Sequence, residues 1–176
     1  MKNISIIVTC REQQPQLRQL LPELLSMQYE GEFEVIVVDE QHDKDFGEWL
    51  EEMEVHYPHL SHTFCPASSR GIETRKLSLT LGAKAANYEW LVALPADVKP
   101  ESRNRLQELI ACLGDENDVV IGITKRKWRW KWFRTNIYPR KTSLFRPTSA
   151  IILCSRRNLL QGGTVKLSDC KVVKIF

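Results

Sequence analysis

The sequence predicts an α/β fold, a single domain in which one mostly parallel sheet is flanked by helices. Two observations carry that prediction. From Ile4 to Ile123, short apolar runs of strand length alternate with amphipathic stripes of helical period. In three places such a run gives way to a polar or acidic residue, at Thr9, Asp39 and Asp97. The carboxyl ends of strands are where open α/β sheets present groups to ligands.

The elements follow in order. Residues 4–8 are apolar throughout, as suits a central strand covered on both faces, and they end in Thr9-Cys10-Arg11-Glu12. Leu17, Leu20, Leu21, Leu24 and Leu25 make a helical stripe. Pro22 is discordant inside it, because proline lacks the N–H that a helix interior uses; Gly31 closes the unit. Residues 33–38 are the second strand, ending in Asp39-Glu40. Strand, helix and strand in that order imply a right-handed crossover, so both strand ends face one side. Residues 46–53 read as a short acidic helix and residues 60–64 as a third strand.

Residues 77–100 organise the rest. Leu77, Leu81 and Ala85 recur at four-residue spacing, and Gly82, Ala83 and Ala86 are small enough to let a helix lie close to a sheet. Arg75 and Lys76 open that helix, whose N-terminal N–H groups and partial positive charge favour an anion; a solvated basic turn is the other reading. Residues 88–94 are a buried strand stopped by Pro95, which leaves Asp97 just past its carboxyl end. Residues 103–113 form an amphipathic helix through Leu106, Leu109, Ile110 and Leu113, ended by Gly114. Residues 119–123 are the next strand, and residues 148–154 the last, followed by a turn at Gly162-Gly163.

Between those two strands lies Lys125-Arg126-Lys127-Trp128-Arg129-Trp130-Lys131-Trp132-Phe133-Arg134. Tryptophans at period two alternate with cations, so an extended strip here has one aromatic and one cationic face. Such a strip suits an anionic membrane surface, a stack of nucleic-acid bases, a lid over a ligand, or a hairpin whose tryptophans join the core.

With 176 residues and 43% hydrophobic content, the chain can bury a real core. The net charge of +3 hides an asymmetry, since residues 119–168 hold twelve Lys or Arg and no Asp or Glu. The acidic first two-thirds and a pI near 8.6 argue against a nucleic-acid partner. Five scattered cysteines, none spaced Cys-x-x-Cys, indicate neither a zinc site nor a disulfide framework, and fit a reducing cytosol. His42, His56, His59 and His62 lack the helical pairing of a zinc protease. No apolar run approaches the roughly 18 residues of a membrane span, and the first run is too short for a signal peptide.

Residues 4–163, and most clearly the stretch from Leu77 to Asp97, resemble family 2 glycosyltransferases, inverting enzymes with the Rossmann-like GT-A fold. In that family a helix with a Gly-x-Lys-x-Ala-like core leads to a strand ending in Asp-x-Asp. Here Gly82, Lys84 and Ala86 stand in the helix and Pro95-Ala96-Asp97 occupies the motif, with Pro95 in place of the first acid. The resemblance implies that Asp97 binds a divalent Mg2+ or Mn2+ bridging the diphosphate of a nucleoside-diphosphate sugar. It implies that Thr9, Arg11, Asp39 and Glu40 hold base and ribose, and that Arg75 and Lys76 lie near the diphosphate. A helix cap is the other reading of Asp39.

In the family an acid soon after the Gly-Gly turn is the general base, and Asp169 is the only later carboxylate here. The resemblance divides the single domain, 1–176, into a nucleotide-sugar half, 1–124, and a shortened acceptor half, 125–176, with the basic aromatic strip. Its implied activity is hexose transfer to a glycan or lipid-linked acceptor at the cytoplasmic face of a membrane. The second reading is a catalytically inactive relative acting as a nucleotide-binding or partner subunit.

Overall fold

The computed structural model describes residues 2–66, 74–98, 103–113, 119–124, 150–155, 159–160 and 170–175. Its strands are β1 (Ile4–Cys10), β2 (Phe33–Asp39), β3 (Leu60–Phe64), β4 (Trp90–Pro95), β5 (Val119–Thr124), β6 (Ala150–Ser155) and β7 (Cys170–Ile175). The helices are α1 (Gln14–Leu25), α2 (Lys44–His56), α3 (Thr74–Ala85) and α4 (Arg105–Ala111). One seven-stranded sheet runs in the order β3-β2-β1-β4-β6-β5-β7.

The pairs β2–β3, β1–β2, β1–β4 and β5–β7 are parallel, whereas β6 is antiparallel to both β4 and β5. Every strand except β6 therefore points one way, which is the mostly parallel sheet that the alternating pattern predicts. Residues 150–155 are not the last strand, because β7 adds an edge beyond β5. The predicted strip at residues 125–134 lies outside the described residues.

Period-two alternation sorts the strand side chains onto two faces. Ile4, Ile6, Val8 and Cys10 of β1, with Val35 and Val37 of β2, meet the α1 leucines, Phe46 and Leu50 of α2, and Leu106 and Leu109 of α4. Ile7, Ile36 and Val38 face the other way, with Leu79 and Ala83 of α3. The result is three layers with α3 covering one face of the sheet's first half.

Pro22 sits inside α1, and the stripe Leu17, Leu20, Leu21, Leu24 and Leu25 is buried as its period predicts. Burying five leucines stabilises by several kcal/mol, on the order of 25 cal/mol per Å² of apolar surface, which exceeds the cost of about 3 kcal/mol for an interior proline.

On α3 the buried residues are Ser78, Leu79, Gly82 and Ala83, while Leu77 and Leu81 are only partly buried and Ala85 is exposed. The four-residue spacing of Leu77, Leu81 and Ala85 therefore picks out the flank of the contact face. Close approach governs one point of the contact: a Cβ at Gly82 would lie 2.4 Å from Ile7 Cγ2, so a glycine stands where α3 lies nearest the sheet, with Ser78, Leu79 and Ala83 buried around it.

Glu34 fixes the amino end of the sheet. Its Oε1 accepts from Ser5 Oγ at 2.6 Å and from Asn87 N at 2.6 Å, and its Oε2 accepts from Asn87 Nδ2 at 2.7 Å. Tyr88 N donates in turn to Ser5 Oγ at 3.1 Å, so one carboxylate joins β1, β2 and the chain entering β4. Ser5 is wholly buried, and its hydroxyl loses its acceptor once the carboxylate is gone. Glu34→Ala is expected to lower stability by about 2–3 kcal/mol, and Glu34→Gln by less, because the amide oxygen still accepts. Urea unfolding of the three proteins measures it; equal midpoints would show that the network carries no net stability.

Candidate functional site

Parallel pairing brings three strand ends to one edge. Cys10 stands opposite Asp39, and Thr9 stands opposite Val38 on one side and Pro95 on the other. Asp97 follows Pro95 in a tight turn closed by Val98 N donating to Pro95 O at 3.2 Å. Ala96 and Val98 are buried whereas Asp97 is exposed, so the turn anchors itself on both sides of the carboxylate and presents it at the carboxyl edge. Thr9 is half-buried at the end of β1, and Arg11 is exposed just beyond it.

Asp39 is buried, 3% exposed, at the end of β2. Its Oδ1 accepts from Gln41 N at 3.0 Å and its Oδ2 from Asp43 N at 2.9 Å, which folds residues 40–43 back over the strand end. It is not the cap of α2. That role belongs to Asp43, whose Oδ1 accepts from Phe46 N at 2.9 Å. Glu40 continues the ladder through its N–H to Cys10 O at 2.8 Å and is half-buried. His42, inside the folded loop, has φ 55°, a left-handed conformation uncommon for a residue with a side chain.

The ordering of the chain also locates Arg75 and Lys76. β3 ends at the carboxyl edge and β4 begins at the amino edge, so α3 between them runs back across the sheet with its first turn toward the carboxyl edge. Arg75 there is half-buried and Lys76 exposed. Thr9, Arg11, Asp39, Glu40, Arg75, Lys76 and Asp97 thus share one edge. Asp169 lies outside the described residues.

Cys10, beside Asp39, is a neutral thiol. Burial pushes its pKa up to about 12, and the Asp39 charge adds to the effect. A nucleophilic cysteine needs a depressed pKa, so Cys10 is not suited to act as one.

Among the described residues, no group of three His, Cys, Asp or Glu is placed to hold a metal ion. Among the described residues, the donor set at this edge fits a divalent cation through Asp97. Asp97 can supply one carboxylate, and Mg2+ or Mn2+, which keep several waters and lean on substrate phosphates, would draw further oxygens from a diphosphate.

Beside Asp39 opens a cleft of about 500 Å³. Asp39, His42 and Asp43 line its upper end, and Lys44, Gly47, Glu48 and Glu51 line it from α2. His62 and Phe64 line it from β3. Phe64 is the register partner of Asp39 and is 53% exposed, and the His42 ring meets it edge-on with centroids 4.3 Å apart. Neither His42 nor Phe64 is a site candidate on sequence grounds. The alternation of Leu60, His62 and Phe64 does place Phe64 on the α2 face, but nothing local shows that α2 stops short of covering it.

The family model for glycosyl transferase family 2 matches residues 5–163. A comparison with the curated proteins found no significant match. Solved structures resemble the chain in fold. The S. aureus TarS 1-349 structure has a TM-score of 0.63 at 19% identity, covering 92% of this chain and 49% of that one. Its complex with UDP-GlcNAc gives 0.59 at 21% identity, covering 92% and 47%. The mannosyltransferase PcManGT from Pyrobaculum calidifontis, in complex with GDP-Man and Mn2+, gives 0.59 at 18% identity, covering 69% of this chain and 35% of that one. The chain spans half or less of the length of these neighbours.

Proposed function

Since the chain belongs to glycosyl transferase family 2, we propose that its carboxyl edge binds a nucleoside-diphosphate sugar and transfers the hexose to a glycan or lipid-linked acceptor. The observation that carries this reading is the convergence of Thr9, Asp39 and Asp97 on one edge by strand register. GDP-Man and UDP-GlcNAc in the structural neighbours are ligands of the same chemical class.

Each residue has a task that its chemistry allows. Asp39 shapes the loop and retains a lone pair on each oxygen to accept from an imide N–H or a ribose hydroxyl. Arg75, Lys76 and the first turn of α3 favour the diphosphate. A cation shared between Asp97 and the diphosphate stabilises the leaving group when bound. Inversion needs a base on the opposite face of the sugar, and Asp169 is the residue proposed for it. The strip at residues 125–133 is proposed to meet an anionic membrane surface, which would bring the acceptor to the protein at the inner face.

A specific observation favours a second reading, a non-catalytic relative that keeps the nucleotide pocket. Pro95, buried at the end of β4, stands where a second acid would share the cation. Calorimetric titration of nucleoside diphosphates with and without Mn2+ tests both. Asp97→Asn is expected to weaken metal-dependent binding at least about tenfold without unfolding, since the side chain is exposed.

Pro95→Asp is expected to strengthen metal-dependent binding and to be stabilised by Mn2+, because a buried, unpaired carboxylate is costly until a cation meets it. Sugar transfer or donor hydrolysis then separates enzyme from relative. Identical binding in all three proteins would remove Asp97 from the metal site, and no nucleotide binding even with excess Mn2+ would overturn the reading.

A further inference from the structure

We propose that the open edge of β3 takes an extended, lysine- or arginine-bearing segment of a partner protein as one further strand of the sheet, with its cations seated against the acidic wall of α2. The proposal stands apart from the nucleotide-sugar reading: it concerns the outer side of the sheet and uses neither Asp97 nor Arg75 nor Lys76.

Among the described residues, no strand lies beyond β3. Along a parallel strand, alternate residues turn their backbone groups to one neighbour. Val35 N donates to His59 O at 2.8 Å and Cys65 N to Asp39 O at 2.7 Å, with β3 and β2 in unbroken register between them. The odd-numbered residues of β3 therefore serve β2, and the N–H and C=O groups of His62 and Phe64 point to the open side. Leu60 adds its C=O there, since its N–H donates to Tyr57 O at 2.9 Å. Such a row of donors and acceptors is what an added strand pairs with.

Proteins commonly guard a free edge with charges on the strand itself. Leu60-Ser61-His62-Thr63-Phe64 carries no Lys, Arg, Asp or Glu. The charges stand beside it on α2. Leu60, His62 and Phe64 lie on the α2 face: Leu60 joins the core there, His62 Nδ1 meets Glu54 Oε1 at 2.7 Å, and Phe64, 53% exposed, lines the cleft of about 500 Å³. Glu48 and Glu51 line the same cleft from α2. Glu48 meets Lys44 at 3.6 Å in a well-exposed pair, and Glu51 pairs with no cation among the described residues.

That wall selects the guest. A strand added about 4.8 Å from β3 places every second side chain on the α2 face. A cation at those positions gains carboxylates and the ring of Phe64, whereas an acidic side chain meets repulsion. A second copy meeting this one β3 to β3 would bring acid against acid, which disfavours that pairing.

The probe is a synthetic peptide of about eight residues, a strand's length, in which lysine alternates with threonine. Titrated calorimetrically into the complete chain, it is expected to bind at least about tenfold more tightly than a peptide of the same composition with its lysines in one block. Methylating one or the other set of alternate backbone nitrogens should abolish binding in one case and spare it in the other, because only one set faces β3. Amide exchange at His62 and Phe64 should slow about tenfold or more in the complex, while Ser61 and Thr63, turned to β2, keep their rates.

On the protein, Glu48→Lys with Glu51→Lys reverses the wall at exposed positions and should weaken the alternating peptide about tenfold or more. Phe64→Pro removes an N–H that β2 does not use and should bind more weakly than Phe64→Ala, which keeps it. Circular dichroism checks each fold, and the methylated peptides decide the edge contact even if the proline variant fails to fold.

If the block peptide binds as tightly as the alternating one, the attraction is bulk charge and the proposal falls. It falls also if neither peptide binds, or if binding leaves His62 and Phe64 exchange unchanged. If the protein alone self-associates with those amides already protected, and the double Glu→Lys variant disperses it, the guest is a basic segment of a second copy and the partner-protein assignment is overturned.

Discussion

Gly82→Val is expected to lower the stability of the domain by at least about 3 kcal/mol, enough to leave a marginal protein largely unfolded. The first added carbon would sit 2.4 Å from Ile7 Cγ2 and 3.3 Å from Val38 Cγ2, inside the contact distance of both. Ile7 cannot give way, because it is wholly buried in the middle of β1 with a parallel partner on each side. The alternative is for α3 to lift from the sheet, which opens gaps around Leu79 and Ala83 in a tightly packed layer. Gly82→Ala adds the same carbon without the branches and should cost less. Thermal or urea unfolding decides: if the valine variant unfolds within about 1 kcal/mol of the parent, α3 does not pack as closely as described.

The second large effect is a loss of stability in alkali. Burial pushes Cys154 up to about 12, and burial with the charge of Asp39 does the same to Cys10, whereas an unfolded cysteine ionises near 8.5 to 9. Both folded pKa values are raised, so between about pH 9 and 12 the unfolded chain releases protons that the native chain keeps. Stability is therefore full below pH 9 and falls as pH rises, by roughly 1 kcal/mol or more per pH unit for each thiol. Urea unfolding at pH 8, 9 and 10 should show a midpoint that drops steeply above 9. The slope should flatten in the double variant Cys10→Ala, Cys154→Ala; an unchanged slope would assign the effect to other groups.

Much of the fold was legible because it depends on local pattern. The uninterrupted apolar run at the start of β1 and the leucine stripe of α1 each carry their own period, and the residues beyond β1, β2 and β4 follow from where those runs stop. The direction of β6 was not legible, since Ala150-Ile151-Ile152-Leu153-Cys154 has the composition of the parallel strands and only the path of the chain reverses it. β7 was overlooked because Lys171 and Lys174 interrupt a short apolar stretch at a sheet edge. Nothing in the residues around Glu34 points to its partner; that it faces Asn87, 53 residues away, is a tertiary fact. In the candidate site, Asp39 and Asp97 could be placed on one edge from the crossover rule. The loop that Asp39 ties down could not, because its hydrogen bonds depend on a backbone path with one left-handed residue.

The insertion of β6 between β4 and β5 has a bearing on biogenesis. As the polypeptide leaves the ribosome, β1, β2, β3 and β4 can pair with one another as soon as residue 95 has emerged. β5 cannot join them then, since its ladder partners are β6 and β7, synthesised 26 or more residues later. Until residues 150–155 appear, the outer side of β4 is an unpaired strand edge, a surface prone to pairing with another nascent chain. A nascent chain stalled with residues up to 124 outside the exit tunnel should hold a protease-resistant core ending near residue 113, with β5 still cleavable, and synthesis through residue 175 should close that edge in a slower, separate step.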